Sequence, residues 1–164
     1  MQFEHRIIEE NKLTRKSRQT TVLEGTLHLL RRASQIADET FAIKIGREDL
    51  TARQFIVLSI VASTENPSQT MICEQSGIDR STLADIVRRL VARGLLTRRR
   101  TRQDARMYAV KITDAGLAVL EKARPVARSV DQEMLGVLTA AQRQEFEATL
   151  QLMIGKLQDA KMVA

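Results

Sequence analysis

Tryptophan is missing from this chain, tyrosine occurs once, and phenylalanine only four times in 164 residues. Aromatics are 3% of a sequence that is 43% hydrophobic, so any core must be aliphatic and friendly to helices. A single cysteine excludes an intramolecular disulfide framework and fits a reducing cytoplasm. The two histidines, His5 and His28, belong to no strong metal-ligand motif with cysteine or carboxylates. There is no glycine-rich phosphate loop and no nucleophile elbow. Neither enzyme chemistry nor a metal or cofactor is expected. No apolar run reaches membrane-spanning length and no signal-peptide pattern opens the chain, so a soluble cytoplasmic protein is expected.

What is present is concentrated between Gln69 and Ile112. A short helix carrying Ile72 and Cys73 inward is followed by Gly77, where the chain turns without a Cβ penalty, and by Ile78, which dips back toward the core. Asp79 then caps a second helix whose apolar stripe is Leu83, Ile86, Val87 and Leu90, at spacings of three and four. Small residue, glycine, buried aliphatic and second helix, in that order, predict a helix-turn-helix. Cys73 falls where that unit needs a small packed residue, which makes it structural rather than a redox sensor. Gly94 ends the second helix. Two strands are predicted beyond it, from Leu95 to Thr101 and from Met107 to Ile112. Tyr108, Val110 and Ile112 should share one face of the second, and Arg102 to Ala105 should form the turn. A hairpin directly after such a helix is a wing.

The run from Gly94 to Gly116 resembles the wing signature of the MarR (multiple antibiotic resistance regulator) family of bacterial transcription factors. The match lies in Gly94-Leu95-Leu96, the arginines that follow, Asp104 and Arg106 at the tip, and the Ile112-Thr113-x-x-Gly116 close. Upstream, the segment from Leu50 to Ala62 is similar to the helix that precedes the helix-turn-helix in that family. The likeness covers roughly residue 22 to the C-terminus. Ala105 departs from the pattern where relatives often carry arginine, which removes a phosphate contact from the tip. The resemblance implies a dimer held by interleaved first and last helices on a pseudo-palindromic operator in double-stranded DNA. It also implies repression relieved when a ligand changes the spacing of the two DNA-reading helices.

Charge supports the same reading independently. From Asp85 to Arg106 the chain carries eight arginines against Asp85 and Asp104, an excess equal to the net charge of +6 for the whole protein. Concentrating the imbalance on one helix and hairpin is an electrostatic footprint for phosphates.

The flanks read as helices. Residues 1 to 19 are highly charged with Phe3, Ile7 and Ile8 as a thin stripe; a helical arm crossing a partner subunit and a plain tail fit equally. Thr21 with Glu24 forms a capping-box pattern ahead of a helix repeating through Leu23, Leu27, Leu30, Ala37, Phe41 and Ile45 and stopped by Gly46. Thr51 with Gln54 opens the next helix, with Phe55, Leu58 and Ala62 inward, and Asn66-Pro67-Ser68 turns into the helix-turn-helix. Thr113 caps a long helix through Leu117, Leu120, Ala127, Val130 and Met134, which Pro125 should kink or divide. Thr139 with Gln142 opens the last, where Phe146, Leu150, Met153 and Leu157 repeat. These outer stripes exceed what a winged domain can cover and predict a homodimer. The expected class is mainly α with a small β-hairpin wing. Residues 1–48 and 114–164 should serve dimerisation, and 49–113 DNA binding.

Candidate DNA contacts follow from the outer face of the second helix. Arg80, Ser81, Ala84, Asp85 and Arg88 lie opposite the stripe, with Thr82 at the helix start placed for phosphate. In the wing, Arg102 and Arg106 suit the minor groove, and Asp104 holds an arginine in orientation or makes the turn. For an effector, the resemblance implies a small anionic aromatic acid, or its coenzyme A thioester, between the dimerisation helices and the DNA-binding domain. His28 and Arg32, one turn apart, would grip the anion, with Leu29, Phe55 and Leu58 as an apolar wall. The alternative is an architectural DNA binder without a ligand switch, which a small molecule would not release from DNA.

Overall fold

The computed structural model describes residues 25–100 and 108–163. They form α1 (Thr26–Ile45), a 3-10 turn (Gly46–Glu48), α2 (Ala52–Ser63), α3 (Gln69–Ser76) and α4 (Arg80–Ala92). Strands β1 (Leu96–Arg100) and β2 (Tyr108–Ile112) follow, then α5 (Asp114–Leu135) and α6 (Ala140–Val163). This is the expected mainly helical class: a helix-turn-helix and its hairpin wing between N- and C-terminal helices.

Every described helix but the first starts at a side chain that caps it. Thr51 accepts from the Gln54 amide at 3.2 Å while Gln54 Oε1 accepts from the Thr51 amide at 3.1 Å. Thr139 and Gln142 repeat that exchange at 3.3 and 3.0 Å. Ser68, Asp79 and Thr113 each accept from an amide three residues on, at 3.1, 2.9 and 3.0 Å. Each bond satisfies an amide that the helix leaves without a partner. For α1 the N-cap is Gly25 with no side-chain bond, and the expected Thr21–Glu24 box lies outside the described residues.

The core is aliphatic, as the composition requires. Ile72 of α3, the α4 stripe of Leu83, Ile86, Val87 and Leu90, and Val57, Leu58 and Val61 of α2 are all buried in one cluster. Phe41 and Ile45 of α1, Leu50, Leu95 with Leu96 and Val110 of the hairpin, and Leu120, Ala123 and Val130 of α5 complete it. The hairpin is antiparallel with Leu96 opposite Ile112 and Arg98 opposite Val110.

Three expectations take a sharper form. Of the two outcomes expected at Pro125, division does not occur: it lies inside a single unbroken 22-residue helix, and α5 packs against both α1 and α2. On the face expected of β2, Val110 is buried and Ile112 half-buried, and Ala109 on the other face is buried as well. The Pro67–Ser68 segment pairs alongside the strand there, with Ser68 bridged to Ala109 and Pro67 O accepting from the Val110 amide. In α2 the fully inward residues are Val57, Leu58 and Val61, while Phe55 and Ala62 are only half-buried. Phe55 lies against Phe41 with ring centroids 5.6 Å apart.

Only the C-terminal end of α1 reaches the core. Leu27, Leu29, Leu30, Ile36 and Ile43 stay exposed. Along α6 the predicted repeat is open too: Phe146, Met153 and Leu157 are exposed, as are Leu152 and Ile154. That helix makes no extended contact with any other described element of its own chain.

Candidate nucleic-acid interface

The α3–α4 unit is held at each joint. Gly77 adopts the left-handed conformation (φ 68°) and its amide closes α3 on Cys73 O at 2.9 Å. Asp79 then starts α4. At the other end Gly94 (φ 72°) donates to Val91 O and Leu95 to Leu90 O, both at 2.9 Å, while Leu90 and Leu95 are buried together. This is the crossed-bond C-cap of a helix ended by glycine. Thr113 joins that end to α5: its hydroxyl donates to Gly94 O at 2.7 Å and its amide to Leu95 O at 3.1 Å. Beside it, a Cβ on Gly116 would stand 2.2 Å from Leu95 O, so α5 packs onto the backbone there as no other residue would allow.

With its stripe buried, α4 turns the opposite face to solvent. Arg80, Ser81, Ala84 and Arg88 are exposed, and Thr82 and Asp85 are half-buried. Arg88 lies eight positions beyond Arg80, roughly 12 Å along the helix, which matches about three to four base-pair steps. The six residues expected on this helix share its solvent side. Arg102, Asp104 and Arg106 lie outside the described residues, and from the wing's described part Arg98 is exposed.

The polar groups on this face are not equally free. Asp79 Oδ1 takes the Ser81 hydroxyl at 2.6 Å as well as the Thr82 amide. Those bonds, the Ser81 hydroxyl first, hold its carboxyl well below the ordinary carboxylate range and leave Ser81 only its acceptor lone pairs. Asp85 is bonded through Oδ1 to Arg88 Nη2 and through Oδ2 to Arg89 Nε, the latter at 2.7 Å. The Arg88 hydrogen bond leads in lowering its carboxyl too. Arg80 makes no ion pair among the described residues. Half-buried Cys73 has its thiol raised by burial, which outweighs Arg80 nearby and fits a packing role.

One arginine of the sequence footprint is otherwise employed. Arg93, just past α4, donates to the backbone carbonyls of Asp49 and Glu48 and so clasps the 3-10 turn. Lys122 of α5 pairs with Glu48 at 3.2 Å, and Lys44 of α1 reaches Glu133 at 2.9 Å and Ser129 at 3.0 Å. Nothing in the sequence signals the Arg93 clasp, because it joins residues 44 and 45 positions apart.

The five residues expected around an effector are not gathered within one chain. Leu58 is sealed in the core, and Phe55 is engaged by Phe41. His28 lies thirteen residues before Phe41, roughly 20 Å along the same helix. His28 is half-buried, Leu29 is exposed, and exposed Arg32 bonds Gln35 at 3.4 Å. An open cleft of about 430 Å³ does lie between the end of α1 and the start of α2, lined among others by Asp38, Asp49, Thr51 and Arg53. It contains none of the five.

Comparison with known proteins agrees with this geometry. A family model described as MarR family matches residues 48–107. The HTH-type transcriptional repressor NicR of Pseudomonas putida is 31% identical over 139 residues, covering 85% of this chain and 88% of NicR. Bordetella bronchiseptica BpsR, in a structure concerned with regulation of its DNA binding by 6-hydroxynicotinic acid, superposes with a TM-score of 0.75. It is 33% identical, over 80% of this chain and 94% of BpsR. The transcriptional repressor CouR bound to a 23-mer DNA duplex superposes with a TM-score of 0.73 at 26% identity, over 81% and 94% of the two chains.

Proposed function

The chain belongs to the MarR family of transcriptional regulators, and from that premise we propose that it is a homodimeric repressor that leaves its operator when it binds a small aromatic acid. One observation carries the DNA-binding half of this reading. The exposed face of α4 presents Arg80, Ser81, Ala84 and Arg88 from a helix pinned at both ends, so the face is offered as a rigid unit. The N-terminal residues of such a helix meet base edges in the major groove, and an arginine can pair two donors with guanine O6 and N7. Thr82, at the helix start, is assigned to phosphate. Arg102 and Arg106 are assigned to the minor groove beside it, with Asp104 as their orienting partner.

The dimer reading rests on the exposed apolar residues of α1, Leu27, Leu29 and Leu30 among them, and on α6, which no other described element covers over any length. Under it, residues 1–48 and 114–164 join two copies and 49–113 bind one half-site each. The effector reading rests on likeness to BpsR and on chemistry. His28 and Arg32 offer an anion two donors from one helix face, with exposed Leu29 beside them for the ring and a second subunit to close the site. The cleft near Asp38 and Asp49 sets two carboxylates against Arg53, the wrong balance for an acid.

The test is fluorescence anisotropy on the DNA upstream of the protein's own gene, titrated with 6-hydroxynicotinic acid, other aromatic acids and their coenzyme A thioesters. Tight binding released by at least one of them is expected. Arg32→Ala should lower affinity for that compound about tenfold in calorimetry. Binding that no acid or thioester relieves would turn the reading toward an architectural protein.

A further inference from the structure

Within the basic face of α4 stands one acid, and it faces the surface assigned to DNA. A carboxylate there repels phosphate, so its presence must be set against what it does for its neighbours. Asp85 is followed by arginines three and four residues on, and each of its oxygens is taken by a different one: Oδ1 by Arg88 Nη2, Oδ2 by Arg89 Nε. An exposed arginine on a helix ordinarily samples many rotamers, and fixing it at a base edge costs that freedom. Arg88 tethered by one terminal nitrogen keeps donors on the other for a purine edge. Arg89 tethered through Nε keeps its fork but has its charge offset by the carboxylate.

We propose that Asp85 is a positioning residue for DNA discrimination, holding Arg88 toward base edges while withdrawing positive charge from indiscriminate phosphate contact. The inference rests on the assignment of α4 to the major groove. It differs from a plain helix-stabilising pair, which would affect folding and leave the DNA preference alone. It also differs from direct reading of cytosine by the carboxylate, which would act at one base pair only. The carboxyl's lowered proton affinity keeps it ionised throughout the neutral range, so the restraint is permanent rather than switched by pH.

The experiment compares wild type, Asp85→Ala, Asp85→Asn and Asp85→Glu on a duplex selected from a randomised pool and on a scrambled duplex, across a salt series. Thermal melts of the free proteins serve as folding controls. For both neutral variants the scrambled duplex should bind severalfold tighter, with a salt slope steeper by about one to two units as one or two arginines reach phosphates. The ratio of selected to scrambled affinity should fall about tenfold, and Asp85→Glu should recover most of it. Unchanged scrambled affinity and slope in both neutral variants would overturn the proposal. So would a loss confined to one base pair, which would make Asp85 a base reader. If wild type itself shows no preference for any selected duplex, the proposed function fails and the proposal fails with it.

Discussion

An arginine on a DNA-reading helix is worth what its guanidinium is free to touch, and on α4 that differs from residue to residue. Arg80 makes no ion pair among the described residues and Arg88 is tethered by Asp85, so both remain candidates for base edges. Replacing either by alanine should cost about 1–3 kcal/mol at the operator and relax preference at one position, measured by binding to single-substitution duplexes. Unchanged selectivity in both variants would remove these two from base reading. Arg93 is a different case, since its donors go to the 3-10 turn and its loss should weaken the fold before it weakens DNA binding. Residue-level reading of the sequence found the outer face of α4 because a three-four stripe fixes what lies opposite it. It could not separate the free arginine from the committed ones, since that depends on where a distant turn comes to rest. Ser81 shows the same limit: its hydroxyl is already given to Asp79. Asp79 also sets a pH dependence. Its carboxyl is lowered from an ordinary 3.8 in the folded protein, so its contribution is present above that value and is lost as pH falls below about 4. The melting temperature of wild type should therefore exceed that of Asp79→Ala at pH 7, and the gap should shrink toward pH 3.

At the scale of elements, legibility followed the locality of the signal. Capping pairs such as Thr51–Gln54 and Thr139–Gln142 involve residues three apart, and both form as read. The outer strand edges, at Leu96 and Ile112, lie within a residue of those read, while the inner edges expected at Thr101 and Met107 fall outside the described residues; Ala109 is buried beside the Pro67–Ser68 segment, which no alternation pattern within β2 reveals. Of the kink or division read at Pro125, division does not occur, since proline's local cost says nothing of two neighbouring helices packed along α5. Gly116 is the element contact most sensitive to change. Alanine there must push the start of α5 off Leu95, and the overpacking should cost about 1–3 kcal/mol, or more if the cap at Thr113 goes with it. Urea unfolding measures this; a change below about 0.5 kcal/mol would mean the junction is softer than its packing implies. In the wing, Arg106→Ala should weaken binding across many sequences and flatten the salt dependence by roughly one unit of slope. An effect on a single operator variant would instead make the wing a base reader.

For the whole molecule the informative surface is the one the single chain leaves uncovered. Phe146, Met153 and Leu157 recur at heptad-like spacing on α6, exposed in one chain and suited to a second copy. Met153→Glu with Leu157→Glu should shift the protein from dimer to monomer in sedimentation velocity and abolish tight binding to a two-half-site duplex. Retention of the dimer would move the interface to α1. His28 and Phe55 sit far apart in one chain, so the proposed effector site would need its remaining walls from a second copy. One joint fixes how any such binding is felt. Thr113 bonds the end of α4 to the start of α5 through both its hydroxyl and its amide, so a tilt of one is expected to carry the other. The joined pair has a long arm: 22 residues of α5, roughly 33 Å from end to end. In a two-fold assembly it works as a lever, with its fulcrum among the joining helices. A tilt of about 6° over ~33 Å carries the reading head by ~3.4 Å, one base-pair step, enough to put both heads out of phase with their half-sites.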